Sequence, residues 1–505
     1  MNLRSGIGVP DRARFEGEHA TPIDITATRL ELEIDPRSKV ARARASVRFR
    51  PLHAGFPLLD LVPRVETLEL NGKRLEPERL ATVMIRDDGE DATVMRLLKE
   101  RLEPGAEAQL SLSYSLEEQT RLDGGVAGFG FFMSDAELPS RLGRHFLEQY
   151  APANLEFDQH ELTVSLVLSN ASQPHMLYAN GQAVQTLRSY RSGSWEQRWE
   201  LRFPAFYTAS SPYLHLVSPE PGLVELVQHV DSLDGRTLPV TVYSRDGGAA
   251  SHAMHVIRGS LPEMERAFGA FPHPSLLVYA TQGHRELPAG VRGMEYCGAA
   301  MVDAADRAVR HELAHSWFGR GVLPASGNDG WLDEAIVEWY LQARAPNLIG
   351  SSSQLPNLNG FSSYRRTTPV DAYVTGPDLL CDADARLRSA GAELADVLRA
   401  YHTGYSCRTS STGDFLELVA KMGNDRVADA LLRNLHAGRA LGRASREKPE
   451  AIEVAADPKH VYFRKGERGT RHPGGKEPGT PAPRERRRGA HFPDRYRPRE
   501  VPSLL

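Results

Sequence analysis

The chain has 505 residues, 41% hydrophobic and 25% charged, with a formal net charge of −4. That length exceeds one ordinary core and implies two or three domains, while the charge balance carries no nucleic-acid footprint and the longest apolar runs are too short to cross a bilayer. Three widely spaced cysteines, Cys297, Cys381 and Cys407, build neither a disulfide framework nor a four-cysteine zinc site, so a reducing, cytoplasmic location is expected.

Residues 1–19 show no apolar h-region of a signal peptide and are expected to be a flexible N-terminus. Residues 20–217 read as an all-β domain. In "TRLELEIDPRSKVARARASVRFR", Leu30, Leu32 and Ile34 alternate with polar residues, then Ala43, Ala45, Val47 and Phe49 do the same around the turn Asp35-Pro36-Arg37-Ser38. Asn71-Gly72 is a hairpin signal, and Leu162, Val164, Leu166 and Leu168 mark a further strand with one apolar face. Residues 218–437 read as an α+β domain: strands near "GLVELVQHV", "LPVTVYSR" and "SLLVYA", then helical periodicity over 251–268, 304–318, 331–344, 376–402, 412–421 and 424–437. Residues 438–505 are rich in Arg, Pro and Gly without apolar period, so a disordered tail is expected.

The segment "RHELAHSWFGRGVLPASGNDGWLDEAIVEWY" carries the chemistry. On a helix, His311 and His315 lie about 40° apart on one face and ~6 Å apart along the axis, a spacing that lets two imidazoles hold one metal ion. Glu312, one step round, projects beside such an ion, where a general base for water belongs. Catalytic zinc takes three protein ligands. Glu334, separated from His315 by eighteen residues and lying in the helical segment "GWLDEAIVEWYLQA", is the third candidate. Glu338 is expected to sit behind the ligands or at the surface, and Asp329 is a possible hydrogen-bond acceptor for a ligand histidine.

With "HELAHSWFG" followed at that spacing by Glu334 in "WLDE", the sequence resembles the aminopeptidase N family of zinc peptidases. Gly293-Met294-Glu295-Tyr296 is similar to that family's Gly-x-Met-Glu-Asn exopeptidase motif, with Tyr296 where the family has asparagine. The resemblance covers residues 20–437, most strongly 268–340. It implies a saddle-like N-terminal β-sheet domain followed by a thermolysin-like zinc peptidase domain. It also implies one Zn²⁺ per chain on His311, His315 and Glu334, with Glu312 as catalytic base. Tyr373, in a Tyr-x-x-Gly start ending at Gly376, would be the catalytic oxyanion donor, with Tyr401 and Tyr405 as competitors. Gly293, Met294, Glu295 and Gln149 would bind the amino end of a peptide substrate with a free N-terminus. A carboxylate such as Glu295 can hold an α-ammonium group and so admit only chain ends. A monomer with no membrane or nucleic-acid partner is expected. Two other readings stay open: a zinc hydrolase of another substrate, either an endopeptidase or a small-molecule hydrolase, and a non-catalytic interaction protein on the same fold.

Overall fold

The computed structural model describes residues 10, 12–87, 91–131, 147–282, 291–343, 357–359, 364, 368–435 and 452–456. The described residues fall in one compact unit, whose first half is strand. An eight-stranded sheet runs in the order Gln182–Arg191, Ser194–Phe203, Glu161–Ala171, Ile23–Asp35, Val40–Pro51, Ala108–Ser115, Val65–Leu70, Lys73–Leu75. Alternation puts Leu30, Leu32, Ile34, Val47, Leu110, Leu112, Leu162, Val164, Leu166 and Leu168 into one apolar layer. The Asp35 carboxylate accepts from the amides of Arg37 and Ser38, which closes the first hairpin as its turn residues predict. A four-stranded sheet, ordered Arg121–Asp123, Val126–Phe131, Leu214–Val217, Met176–Ala179, completes this half.

Two expectations are corrected here. Residues 13–19 are not a loose terminus: Ala13–Phe15 and Glu18–Thr21 form a hairpin around Glu16-Gly17, and Ala13, Phe15 and Ala20 pack with Leu58, Val83 and Leu97. Nor is the whole of 438–505 without structure. Ile452–Ala456 pairs with Ala13–Phe15 on one side and Leu80–Asp87 on the other, and so closes a six-stranded barrel with Phe56–Leu59 and Asp91–Leu98. Both corrections have one cause. An open strand edge exposes unpaired amides and carbonyls, and a short apolar segment remote in sequence can satisfy them. The remaining tail expectation, on 438–451 and 457–505, and residues 1–9 lie outside the described residues.

The second half is built on a mixed five-stranded sheet, ordered Val224–Asp231, Thr237–Ser244, Leu276–Thr281, Ala299–Asp303, Gly293–Tyr296. The last two strands are an antiparallel hairpin at the sheet edge. One face, carrying Val240, Val242, Leu276, Val278, Ala300 and Val302, packs against helices. The other, carrying Tyr243, Leu277, Tyr279, Met294, Tyr296 and Met301, packs with Tyr178, Tyr213 and Val217 of the strand-rich half.

Helix α1 (Gly247–Phe268), capped by Asp246 accepting from the Ala249 amide, covers the helix-side face. It is followed by α2 (Asp306–Ala314), α3 (Trp331–Ala343) and the single turn α4 (Asp371–Val374). Then come α5 (Gly376–Ser389), α6 (Leu394–Tyr405), α7 (Thr412–Met422) and α8 (Asp425–Leu435). The helix expected over 376–402 is two helices, because Gly391 takes φ +86° and the Leu394 amide turns to the Asp384 carboxylate. Among the described residues no helix is long and apolar enough to cross a membrane.

Candidate metal centre

Two helices and one strand converge on the site. Helix α2 ends at Ala314, and His315 is its C-cap in helical conformation, so His311 and His315 keep the i, i+4 relation. Their Nε2 atoms lie 3.0 Å apart. Glu334, in the first turn of α3, brings Oε2 to 3.3 Å from His311 Nε2 and 3.4 Å from His315 Nε2. All three side chains are largely buried.

The outer nitrogens decide what this triangle wants. His315 Nδ1 donates to the Phe318 carbonyl at 3.0 Å, and His311 Nδ1 donates to Glu338 Oε1 at 3.1 Å. With both Nδ1 atoms donating outward, the two Nε2 atoms turn toward each other and toward Glu334 Oε2, which has no hydrogen-bond partner. Three potential ligand atoms thus converge on one point, and positive charge there, as protons on the rings or as a metal ion, relieves the arrangement. The triangle edges of 3.0, 3.3 and 3.4 Å match the ~3.3 Å edge of a tetrahedral zinc site with bonds of about 2.0–2.1 Å. The residues therefore fit a zinc ion. The electrostatics favour positive charge at that same point. Burial opposes protonation of both imidazoles, yet Glu334 and Glu338 raise His311 well above the usual range, and Glu334 foremost raises His315 to about 9. Burial also opposes ionisation of Glu334, but His315 and His311 hold its carboxyl far below the ordinary carboxylate range.

Glu338 is itself held by Arg307, so an Arg307–Glu338–His311 chain braces one ligand from behind. Asp329 does not play this part. Its carboxylate accepts from Ser326 Oγ and from Thr412 at both amide and hydroxyl, which ties the start of α3 to the start of α7. Glu295, His315 and Asp333 also offer ligand atoms within 4.8 Å of one another, but Arg320 already occupies Glu295 Oε1 at 2.8 Å and His315 Nε2 is turned to His311 and Glu334.

Glu312 lies one step round α2 from His311. Its Oε2 is buried without a partner, and its carboxylate rests against Gly293: a Cβ at that position would lie 2.2 Å from Glu312 Oε1. Burial pushes the Glu312 carboxyl up to about 8, and a divalent cation in the triangle acts in the opposite direction.

Sheet pleat sorts the strand Gly293–Tyr296. Glu295 pairs with Ala300, whose side chain lies on the helix face, whereas Met294 and Tyr296 enter the aromatic layer on the opposite face. The Met294 side chain thus lies on the face opposite Glu295, which leaves its main chain for the expected substrate contact. Tyr296 packs on Tyr213 with ring centroids 5.0 Å apart, so the departure from the family's asparagine falls on a core position.

No protein-family model matches the sequence, and no curated protein matches it either. Solved structures do. An M1 zinc metallopeptidase from Deinococcus radiodurans aligns over 88% of this chain and 99% of its own at 19% identity and TM-score 0.55. A mutant of that protein, solved with a Tyr-Ser-Ala substrate, aligns equally well. Aminopeptidase A from Legionella pneumophila, solved with aspartic acid, gives TM-score 0.59 at 15% identity over 82% of this chain, which spans 49% of that longer protein. The chain has the fold of the M1 zinc metallopeptidases.

Within this M1 fold, Tyr373 donates its hydroxyl to Glu334 Oε1 at 2.6 Å. The residue as a whole is 42% exposed, but its hydroxyl end is enclosed. Burial, then Glu334, lifts the phenol far above its usual range and keeps it a donor. Gly376 explains how it gets there: a Cβ would lie 2.7 Å from Ala335 Cβ, so glycine lets α5 press onto α3 one residue from Glu334. The competitors lie elsewhere, Tyr401 buried against Phe318 and Phe415, and Tyr405 bonded to Asp414. Gln149 is buried in the short turn Leu147–Gln149, its Nε2 has no partner, and no hydrogen bond joins it to the other site residues. Arg320 was missed by sequence reasoning. The available signal was a lone charge in the otherwise uncharged run "SWFGRGVLPAS".

Proposed function

We propose that this chain is a zinc-dependent aminopeptidase. The observation that carries the reading is the triangle of His311 Nε2, His315 Nε2 and Glu334 Oε2, three buried potential ligand atoms at 3.0–3.4 Å with the unpartnered Glu312 Oε2 beside them. A purely structural metal site has no use for that base. Zn²⁺ held by His311, His315 and Glu334 would supply a Lewis acid that lowers the pKa of a water to near ~7 and polarises a carbonyl.

The chain's own groups account for the rest. Glu312 Oε2 takes the proton of the attacking water and delivers it to the leaving amine. The Tyr373 hydroxyl, next to Glu334, is the donor for the developing oxyanion. Glu295, on the same sheet face as Gly293, takes the substrate's ammonium group, and Gln149 is the second candidate for that task. Solved proteins of the same fold have been captured with a tripeptide and with an amino acid, which supports a peptide substrate. The three unpaired cysteines support a cytoplasmic location.

The test is metal analysis of the purified chain together with a panel of unblocked aminoacyl fluorogenic substrates. One zinc per chain, release of single N-terminal residues, and loss of turnover in Glu312→Gln with zinc retained are expected. Full activity in that variant, or equal turnover of N-acetylated and free peptides, would refute the mechanism.

A further inference from the structure

The acid assigned to the substrate's amine already has a partner. Glu295 Oε1 accepts from Arg320 Nη2 at 2.8 Å, and Arg320 Nε donates to the Glu295 carbonyl at 3.2 Å. The other arm of the guanidinium, Nη1, donates to Ser210 Oγ at 2.6 Å and to the Gly319 carbonyl at 3.2 Å. Ser210 Oγ in turn donates to Glu156 Oε2 at 2.8 Å, an oxygen that also accepts from Thr208 Oγ1 at 2.6 Å. Arg320, Glu295 and Ser210 are 4%, 8% and 2% exposed.

A planar guanidinium bonded on both arms is a rigid fork, and this one grips both the side chain and the main chain of Glu295. Among the described residues no hydrogen bond reaches Glu295 Oε2 while Oε1 is held by Arg320, so one oxygen is left for a ligand. The charge count points the same way. The carboxyl groups of Glu156, Glu295 and Asp333 all act on one guanidinium, so acid outnumbers base here and a cationic ligand group is favoured. The chain of contacts also crosses the molecule: Glu156 and Ser210 belong to the strand-rich half, Arg320 to the loop after the metal helix.

We infer that Arg320 is a positioning residue for substrate specificity, holding Glu295 by one oxygen so that the other meets the amine of a bound chain end, with Ser210 and Glu156 holding Arg320 in place. This inference rests on the aminopeptidase reading and assigns the strand-rich half a chemical part in recognition.

The experiment uses the zinc-loaded full chain with Glu312→Gln, so that peptides stay intact, and calorimetry with Phe-Ala-Ala and its N-acetyl form. Adding Arg320→Gln is expected to weaken the free peptide by on the order of tenfold without moving the acetylated peptide or the zinc content. Arg320→Lys should recover part of that loss, and Ser210→Ala and Glu156→Gln should reproduce it in milder form. Unchanged affinity in Arg320→Gln, or equal weakening of both peptides, would overturn the inference. If Arg320→Gln does not fold, the two milder variants decide on the same criteria. Equal binding of both peptides by the Glu312→Gln parent would overturn the aminopeptidase reading itself, and this inference with it, before Arg320 is touched.

Discussion

Gly293→Ala tests the catalytic geometry with the smallest change available. The added Cβ would lie 2.2, 2.4 and 2.5 Å from Glu312 Oε1, Cδ and Cγ, whereas carbon contacts settle at about 3.5–4.0 Å. Gly293 is not among the positive-φ glycines, so alanine fits the backbone and the whole effect falls on the carboxylate. Glu312 must retreat by ~1 Å or more, a misplacement that costs about 10²-fold, and full loss of a general base costs about 10²–10⁴-fold. A fall of about 10²–10³ in kcat/KM is therefore expected, or ~2.7–4 kcal/mol of transition-state stabilisation. The ligands His311, His315 and Glu334 are untouched, so zinc per chain should stay at the wild-type value. Steady-state kinetics on an unblocked aminoacyl substrate, with zinc measured on the same preparation, gives both numbers. Combining Gly293→Ala with Glu312→Gln should be no worse than Glu312→Gln alone, because both act through one carboxylate. Turnover within a few-fold of wild type in zinc-loaded Gly293→Ala would refute the placement of Glu312 as the base.

Glu338→Gln removes the carboxylate behind His311 and should weaken zinc affinity by about 10–100-fold, read by competition with a chelator; unchanged affinity would show that Glu338 is a bystander. Tyr373→Phe should lower kcat by about 10²–10³ with little change in KM, and an effect confined to KM would place Tyr373 in binding instead. Zinc uptake should release protons, because His315 in the metal-free chain titrates at about 9 and His311 well above its usual range. Between pH 6 and pH 8 the apparent affinity should therefore rise by about tenfold per pH unit for each proton displaced, and a flat profile would contradict the charged state assigned to the two rings.

Much of the site could be read in the sequence because helix geometry is local. Four residues of separation put His311 and His315 on one face wherever the segment is helical, and Glu312 necessarily falls beside them. Strand alternation is local too, so Leu30, Leu32 and Ile34 declare an apolar face before any partner is known. Tyr373 lay within reach of sequence reasoning for another reason. The glycine three residues on, Gly376, is a packing requirement, and such requirements leave a visible trace.

What tertiary structure alone decided depends on partners distant in the chain. That Glu338 and not Asp329 braces His311 follows from their places in the fold: Glu338 lies on α3 against α2, while Asp329, ahead of α3 and nearer to His311 in sequence, is turned to Ser326 and Thr412. That Met294 faces the aromatic layer while Glu295 faces the histidines of α2 follows from which side of the sheet the helices cover. The Ile452–Ala456 strand exists because an edge far away needed hydrogen bonds. The pairing of Arg320 with Glu295 and Ser210 joins segments 25 and 110 residues apart. No periodicity encodes such a meeting: a buried charge finds its counter-charge only when the chain is folded around it.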